Sequence, residues 1–215
     1  YVVTEDWYFL SHRLPMARAA KAAGYEIHVA TRLNQGKEAI EAEGFTPHAL
    51  TWQRGSLSPT HSLAGVAELR KLLREIKPDI LHSISLKPVL LGGIASIGLS
   101  SIAVVNSLTG LGTLFVGNHR KSELTRPLVV AALRALLKRQ GSRTIVQNPD
   151  DKRFVLGLGV PEASVELIPG SGVDTQHFVP LLEPPPPVTA AYVGRMLADK
   201  GVITLIQAYS LATTR

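Results

Sequence analysis

Ala190-Ala191-Tyr192-Val193-Gly194-Arg195-Met196-Leu197-Ala198-Asp199-Lys200-Gly201 reads as an apolar strand turning directly into a helix, with Arg195 and Lys200 set around the turn. A helix N-terminus at the carboxyl end of a strand attracts anions, because unpaired N–H groups and the helix dipole point there. Two cations added to such a turn make a clamp for a diphosphate, and the Arg195 guanidinium can grip two oxygens at once. The plainer reading is an arginine and a lysine on a solvated loop. The rest of the chain decides between them.

The same alternation of apolar strand and amphipathic helix runs back to the start, which argues for βαβ units around a parallel sheet. Strands are predicted over residues 1–4, 25–30, 45–50, 80–84, 102–105, 144–147 and 165–168, and helices over 14–23, 37–43, 62–77, 88–98, 124–139 and 149–156. The composition then changes. Residues 179–187 hold Pro180 and the run Pro184-Pro185-Pro186-Pro187, an extended and stiff linker. Beyond it come only a strand over 189–194 and a helix over 200–211, too little to bury a core alone. The fold expected is α/β: a Rossmann-like parallel sheet with helices on both faces over 1–178, a linker over 179–187, and the first βα unit of a second such domain over 188–215. The chain opens directly on a strand with no basic leader or cleavage site, and one or more residues of that strand are expected to precede Tyr1.

The 215 residues are 45% apolar and contain no cysteine, which excludes disulfides, zinc–thiolate sites and cysteine catalysis. Residues 88–118 carry no charge, but Gly92, Gly93, Gly98, Gly110, Gly112 and Gly117 break the stretch too often for a membrane span. It reads as a buried helix, a buried strand and a glycine-rich loop. A soluble, cytoplasmic protein is expected. The formal net charge of +6 asks for an acidic partner. Helix 124–139 carries Arg126, Arg134, Lys138 and Arg139 opposite Leu128, Val129, Leu133, Leu136 and Leu137. Such a helix either lies on an anionic membrane surface or packs on the core with a solvated basic face. No nucleic-acid motif appears, and the cations are spread over several helices. No Gly-x-Gly-x-x-Gly follows the first strand, which removes a nicotinamide enzyme.

Three motifs, in order and spacing, resemble retaining glycosyltransferases of family 4, which have the GT-B fold. They are Gly194-Arg195 with Lys200-Gly201; Gly172-Val173-Asp174 followed by Phe178 and Pro180; and Pro78-Asp79-Ile80-Leu81-His82. The resemblance covers essentially the whole chain. It implies a nucleotide-sugar donor, such as a UDP-sugar, whose diphosphate is held by Gly194, Arg195 and Lys200 without a metal or other cofactor. The departing phosphate oxygen would itself help deprotonate the acceptor. It also implies an acceptor-side first domain, its functional loops at the carboxyl ends of the strands. There Trp7, Tyr8 and Phe9 with Ser11, His12 and Arg13 either bind sugar and phosphate or pack a loop onto the core. Many relatives have a Gly-Gly pair at this point, absent here; Ser11-His12-Arg13 looks like a subgroup acting on lipid-linked sugars. His82 corresponds to a histidine near the donor sugar and is the candidate catalytic residue, or else a hydrogen-bonded structural one. Ser85 and Lys87 offer an anion contact at a helix start. Thr109, Gly110 and Gly112 lie in a loop that faces the cleft or merely turns. The implied role is synthesis of a bacterial polysaccharide or envelope glycan on a glycan or polyprenyl-linked acceptor, at the cytoplasmic face of the membrane. The rival is a non-catalytic or split subunit that binds acceptor and membrane and relies on a partner for the donor.

Overall fold

The computed structural model describes the backbone of residues 1–52, 59–111, 120–183, 185–187, 189–194, 196 and 200–213. A seven-stranded sheet has the order β3-β2-β1-β4-β5-β6-β7, and each neighbouring pair is parallel. The strands are β1 (Val2–Glu5), β2 (His28–Arg32), β3 (Thr46–Ala49), β4 (Ile80–Ile84), β5 (Ala103–Leu108), β6 (Ser142–Val146) and β7 (Val165–Leu167). Parallel neighbours require crossovers, and helices supply them. α1 (Asp6–His12) and α2 (Leu14–Ala22) follow β1; α3 (Lys37–Ala42) and α4 (Pro59–Ile76) follow β2 and β3. α5 (Leu86–Ala95), α6 (Arg120–Leu137) and α7 (Pro149–Gly157) follow β4, β5 and β6. Strand order reverses between β1 and β4, the switch point beside which open α/β sheets bind ligands at the carboxyl ends of the strands.

Side-chain alternation assigns each helix to a face of the sheet. Val2, Ala30 and Leu81 pack with Leu69 and Leu73 of α4 and Leu91 and Ala95 of α5. Val3, Val29 and Ile84 turn the other way, onto Phe9, Ala17 and Ile40 of α1, α2 and α3. A third cluster joins Leu108 and Val146 to Val89, Leu133, Leu137 and Val155. Helices therefore cover both faces, as the alternating pattern required.

Two glycines let α5 sit close to its neighbours. A Cβ on Gly92 would stand 2.5 Å from Ser83 Oγ, and one on Gly93 would stand 2.8 Å from a methyl of Leu136. Gly92→Val overpacks this seam and is expected to destabilise by about 1–3 kcal/mol. The measurement is a lower urea midpoint at unchanged m-value.

Element limits shift from the sequence reading by up to four residues, as where β2 runs His28–Arg32 and not 25–30, and three further differences have a physical reason. The polar aromatic loop expected over 5–13 is mostly α1, a helical turn from which Phe9 is fully buried against Tyr1 and Phe45. The fifth strand runs on to Leu108 instead of ending at 105, since the polar side chains at its end find partners across the sheet. Asn106 Nδ2 donates to Ser142 Oγ (2.9 Å), and Ser107 Oγ lies 2.7 Å from His82 Nε2. No strand forms over 189–194: no described strand pairs with it, so its backbone has no ladder to join.

The chain divides into two compact units, Tyr1–Gly172 and Val173–Arg215. In the second, Asp174 Oδ1 accepts from the backbone N–H of Gln176 (2.9 Å) and His177 (3.2 Å), fixing a turn after the Gly-Val-Asp motif. Lys200 and Gly201 immediately precede α8 (Val202–Thr213). Ile203, Ile206 and Tyr209 of this apolar helix are exposed. Among the described residues, no helix is long and apolar enough to cross a membrane.

Candidate functional site

The carboxyl ends of β1, β4 and β5 meet at the switch point. β1 delivers two buried carboxylates, Glu5 and Asp6. Asp6 Oδ2 accepts the backbone N–H of Asn34 (2.6 Å) and Gly36 (2.8 Å), and Oδ1 accepts that of Trp7 (2.7 Å). The Asn34 amide reaches both carboxylates, at 3.1 Å for Glu5 and 3.4 Å for Asp6. Burial would raise the Asp6 pKa, yet the backbone N–H groups of Asn34, Gly36 and Trp7, with the Asn34 amide, together hold it below the usual carboxylate value. The Asp6 Cβ crowds Gly36, where an added Cβ would lie 2.9 Å away, so glycine is required there. The sequence reading does not find this knot. Its only local signal is the turn-forming Asn34-Gln35-Gly36 after β2.

Ser11, His12 and Arg13 diverge. Ser11 is exposed at the end of α1 and bonds to Trp7 O (2.7 Å) and His12 Nδ1 (2.6 Å); the His12 ring stacks on Tyr8 at 4.6 Å. Arg13 instead turns inward and is only 7% exposed. Its Nη2 donates to the Tyr8 hydroxyl at 3.4 Å, and its guanidinium carbon lies 6.0 Å from the centre of that ring.

His82 lies mid-strand in β4, 9% exposed, with Nε2 2.7 Å from Ser107 Oγ and its ring 5.3 Å from that of Tyr1. Burial above all, helped by the positive charge of Arg13, pushes its pKa down to about 3. The imidazole is neutral at physiological pH and serves as a hydrogen-bonding group.

Ser85 is the outlier at the end of β4. It has φ 79° and ψ 162°, a region that only glycine occupies freely. The backbone is held by Ser85 N–H donating to Ser107 O (2.8 Å) and by Val89 N–H donating to Ser85 O (3.0 Å). Its hydroxyl lies 3.0 Å from Thr109 Oγ1 at the end of β5. Two residues on, burial lowers the Lys87 pKa. Gly110 has φ 131°, and no described atom lies within 4 Å of where a Cβ would stand, so its backbone is open to close approach. Strain of this kind persists where the surroundings impose it, and it collects at binding sites. Ser85→Gly relieves about 1–3 kcal/mol of strain and loses one hydrogen bond of about 1 kcal/mol. Melting at an equal or higher temperature is the expected result.

Arg139, expected to face a membrane, is occupied inside the protein: Nη1 donates to Gly93 O (2.9 Å) and Ser96 Oγ (3.1 Å), and Nη2 to Ser96 O (3.3 Å). It ties the end of α6 to the last carbonyls of α5, as a cation at a helix C-terminus should. Arg134 and Lys138 are exposed. Lys200 is exposed and Gly194 lies near the Tyr192 hydroxyl, 3.1 Å from where a Cβ would stand. Arg195 and Gly112 fall outside the described residues. Among those described, no three His, Asp or Glu side chains are grouped to hold a metal ion.

A seven-stranded parallel sheet in this order, with helices on both faces, matches the Rossmann-like half of a GT-B architecture. The chain belongs to the glycosyl transferase 4-like family, whose profile matches residues 1–145. No curated protein matches it by sequence. Among solved structures it is similar to Anabaena HepE in complex with UDP and glucose (TM-score 0.55, 18% identity, 81% of this chain and 44% of that one). It is also similar to sucrose-phosphate synthase from Thermosynechococcus elongatus (0.53, 16%, 78% and 43%). The UDP-GlcNAc 2-epimerase of Methanocaldococcus jannaschii shares the fold too (0.52, 18%, 74% and 42%). The chain thus spans less than half the length of each, and at these identities the likeness is one of fold.

Proposed function

We propose that this chain is the acceptor-side half, with the start of the donor half, of a retaining glycosyltransferase. The enzyme moves a sugar from a nucleotide diphosphate sugar, such as a UDP-sugar, to a glycan or polyprenyl-linked acceptor in bacterial envelope or polysaccharide synthesis. The observation that carries this is the family match over 1–145, which takes in β1 through most of β6 and hence the whole switch-point edge. HepE, with UDP and glucose bound, supports the donor class.

In this reading Gly194, Arg195 and Lys200 receive the donor diphosphate, where negative charge grows as the glycosidic bond breaks. Residues 179–187 link the halves. The buried neutral His82 orients groups around Ser107 and does not act as a base near neutral pH. Ser85, Lys87, Thr109 and Gly110 border the acceptor. No metal is needed, because the cations neutralise the leaving group. Exposed Arg134 and Lys138 give α6 a basic side toward the cytoplasmic face of an anionic membrane.

The test is a donor screen on the complete protein, reading nucleotide release with and without a polyprenyl-linked acceptor. Acceptor-dependent release from one nucleotide sugar is expected. Donor conversion that ignores acceptor, as an epimerase of the same fold would give, overturns the reading.

A further inference from the structure

Arg13 is the most anomalous cation among the described residues. It is 7% exposed, its Nε is buried without a hydrogen-bond partner, and no described carboxylate lies within 4.0 Å. Among the described residues, its polar contacts are one long bond to the Tyr8 hydroxyl and the approach to that ring. A buried guanidinium is costly unless an anion completes it. Buried arginines normally find a carboxylate inside the protein, and this one has none among the described residues. Its position is informative as well. Arg13 ends α1, on the sheet face that carries Val3, Ile84 and His82, and its charge is felt at His82. That places it beside β1 and β4, within the first unit.

We propose that Arg13 is a receptor for a phosphate group of a substrate, which supplies the counter-charge that the described residues do not. Its planar fork matches two phosphate oxygens. The unpartnered Nε and the nitrogens not committed to Tyr8 are the donors. Tyr8 backs the guanidinium and holds it in place, while His12, stacked on the same tyrosine, frames the approach. Either a nucleotide diphosphate or a lipid phosphate presents this chemistry. The proposal rests on the glycosyltransferase reading only for which molecule bears the phosphate.

Binding can be read without turnover, so this idea and the activity assignment fail separately. On the complete protein, thermal shift is titrated with inorganic phosphate, UDP and farnesyl phosphate, for wild type and Arg13→Met. Wild type is expected to melt higher with at least one probe, and the largest shift names the bearer. Arg13→Met is expected to melt no lower than wild type when unliganded, since a buried uncompensated charge is gone, and to bind that probe at least tenfold more weakly. Phosphate should also move the His82 ring resonances in wild type. An unchanged probe response in Arg13→Met overturns the proposal, as does a wild type that responds to none of the three. Should Arg13→Met fail to fold, Arg13→Gln decides in the same titration.

Discussion

Arg195→Ala or Lys200→Ala in the complete enzyme is expected to cut kcat/KM for the nucleotide sugar by about 10²–10³-fold, the loss seen when one preorganised donor to developing negative charge is removed. That corresponds to about 3–4 kcal/mol of transition-state stabilisation. Most of the effect should fall on kcat, because the charge on the bridging oxygen grows as the bond breaks and is small in the bound donor. Lys200 is exposed, two residues before α8, and belongs to none of the buried clusters. Steady-state kinetics beside a melting curve make the check: normal turnover in either variant removes the clamp. Arg195→Lys is the finer probe. It keeps the charge and loses the two-pronged grip, and should recover only part of the rate.

Asp6→Ala should produce the largest loss of stability. The carboxylate accepts backbone N–H groups of Asn34 and Gly36 from the turn after β2, and that of Trp7 at the start of α1. Without it these donors are stranded, at about 1–3 kcal/mol for each that water does not reach. A total of about 3–5 kcal/mol is expected, read by urea unfolding at pH 7. The pH dependence has a definite sign. Because folding lowers the Asp6 pKa, its contribution is complete above the unfolded value near 4 and disappears as pH falls through the lower folded value. Asp6→Asn should therefore be less stable than wild type at neutral pH and approach it in acid. An equal deficit at both pH values would remove Asp6 as the source.

Most of the fold can be read from the chain because its signals are local. Apolar runs closed by Gly24, Gly44 and Pro78 mark strands and helices to within about four residues, and crossover rules then leave few topologies. Segments whose structure depends on distant partners are harder. The aromatic run 7–9 gives no hint of helix until Phe45 and Tyr1 are known to receive Phe9. Asn106 and Ser107 look like loop residues until Ser142 and His82 are seen to partner them. The site divides in the same way. Arg13 and Lys87 stand out by residue type and position, but only tertiary structure reveals that Arg13 is enclosed, that Arg139 holds a helix end, and that Ser85 adopts a backbone reserved for glycine.

All three buried clusters draw their members from before residue 166, and the last of the seven strands ends at Leu167, ahead of the compact unit's limit at Gly172. Among the described residues, the members of these clusters all lie within the first unit. Replacing residues 173–215 therefore alters none of the residues in those three clusters.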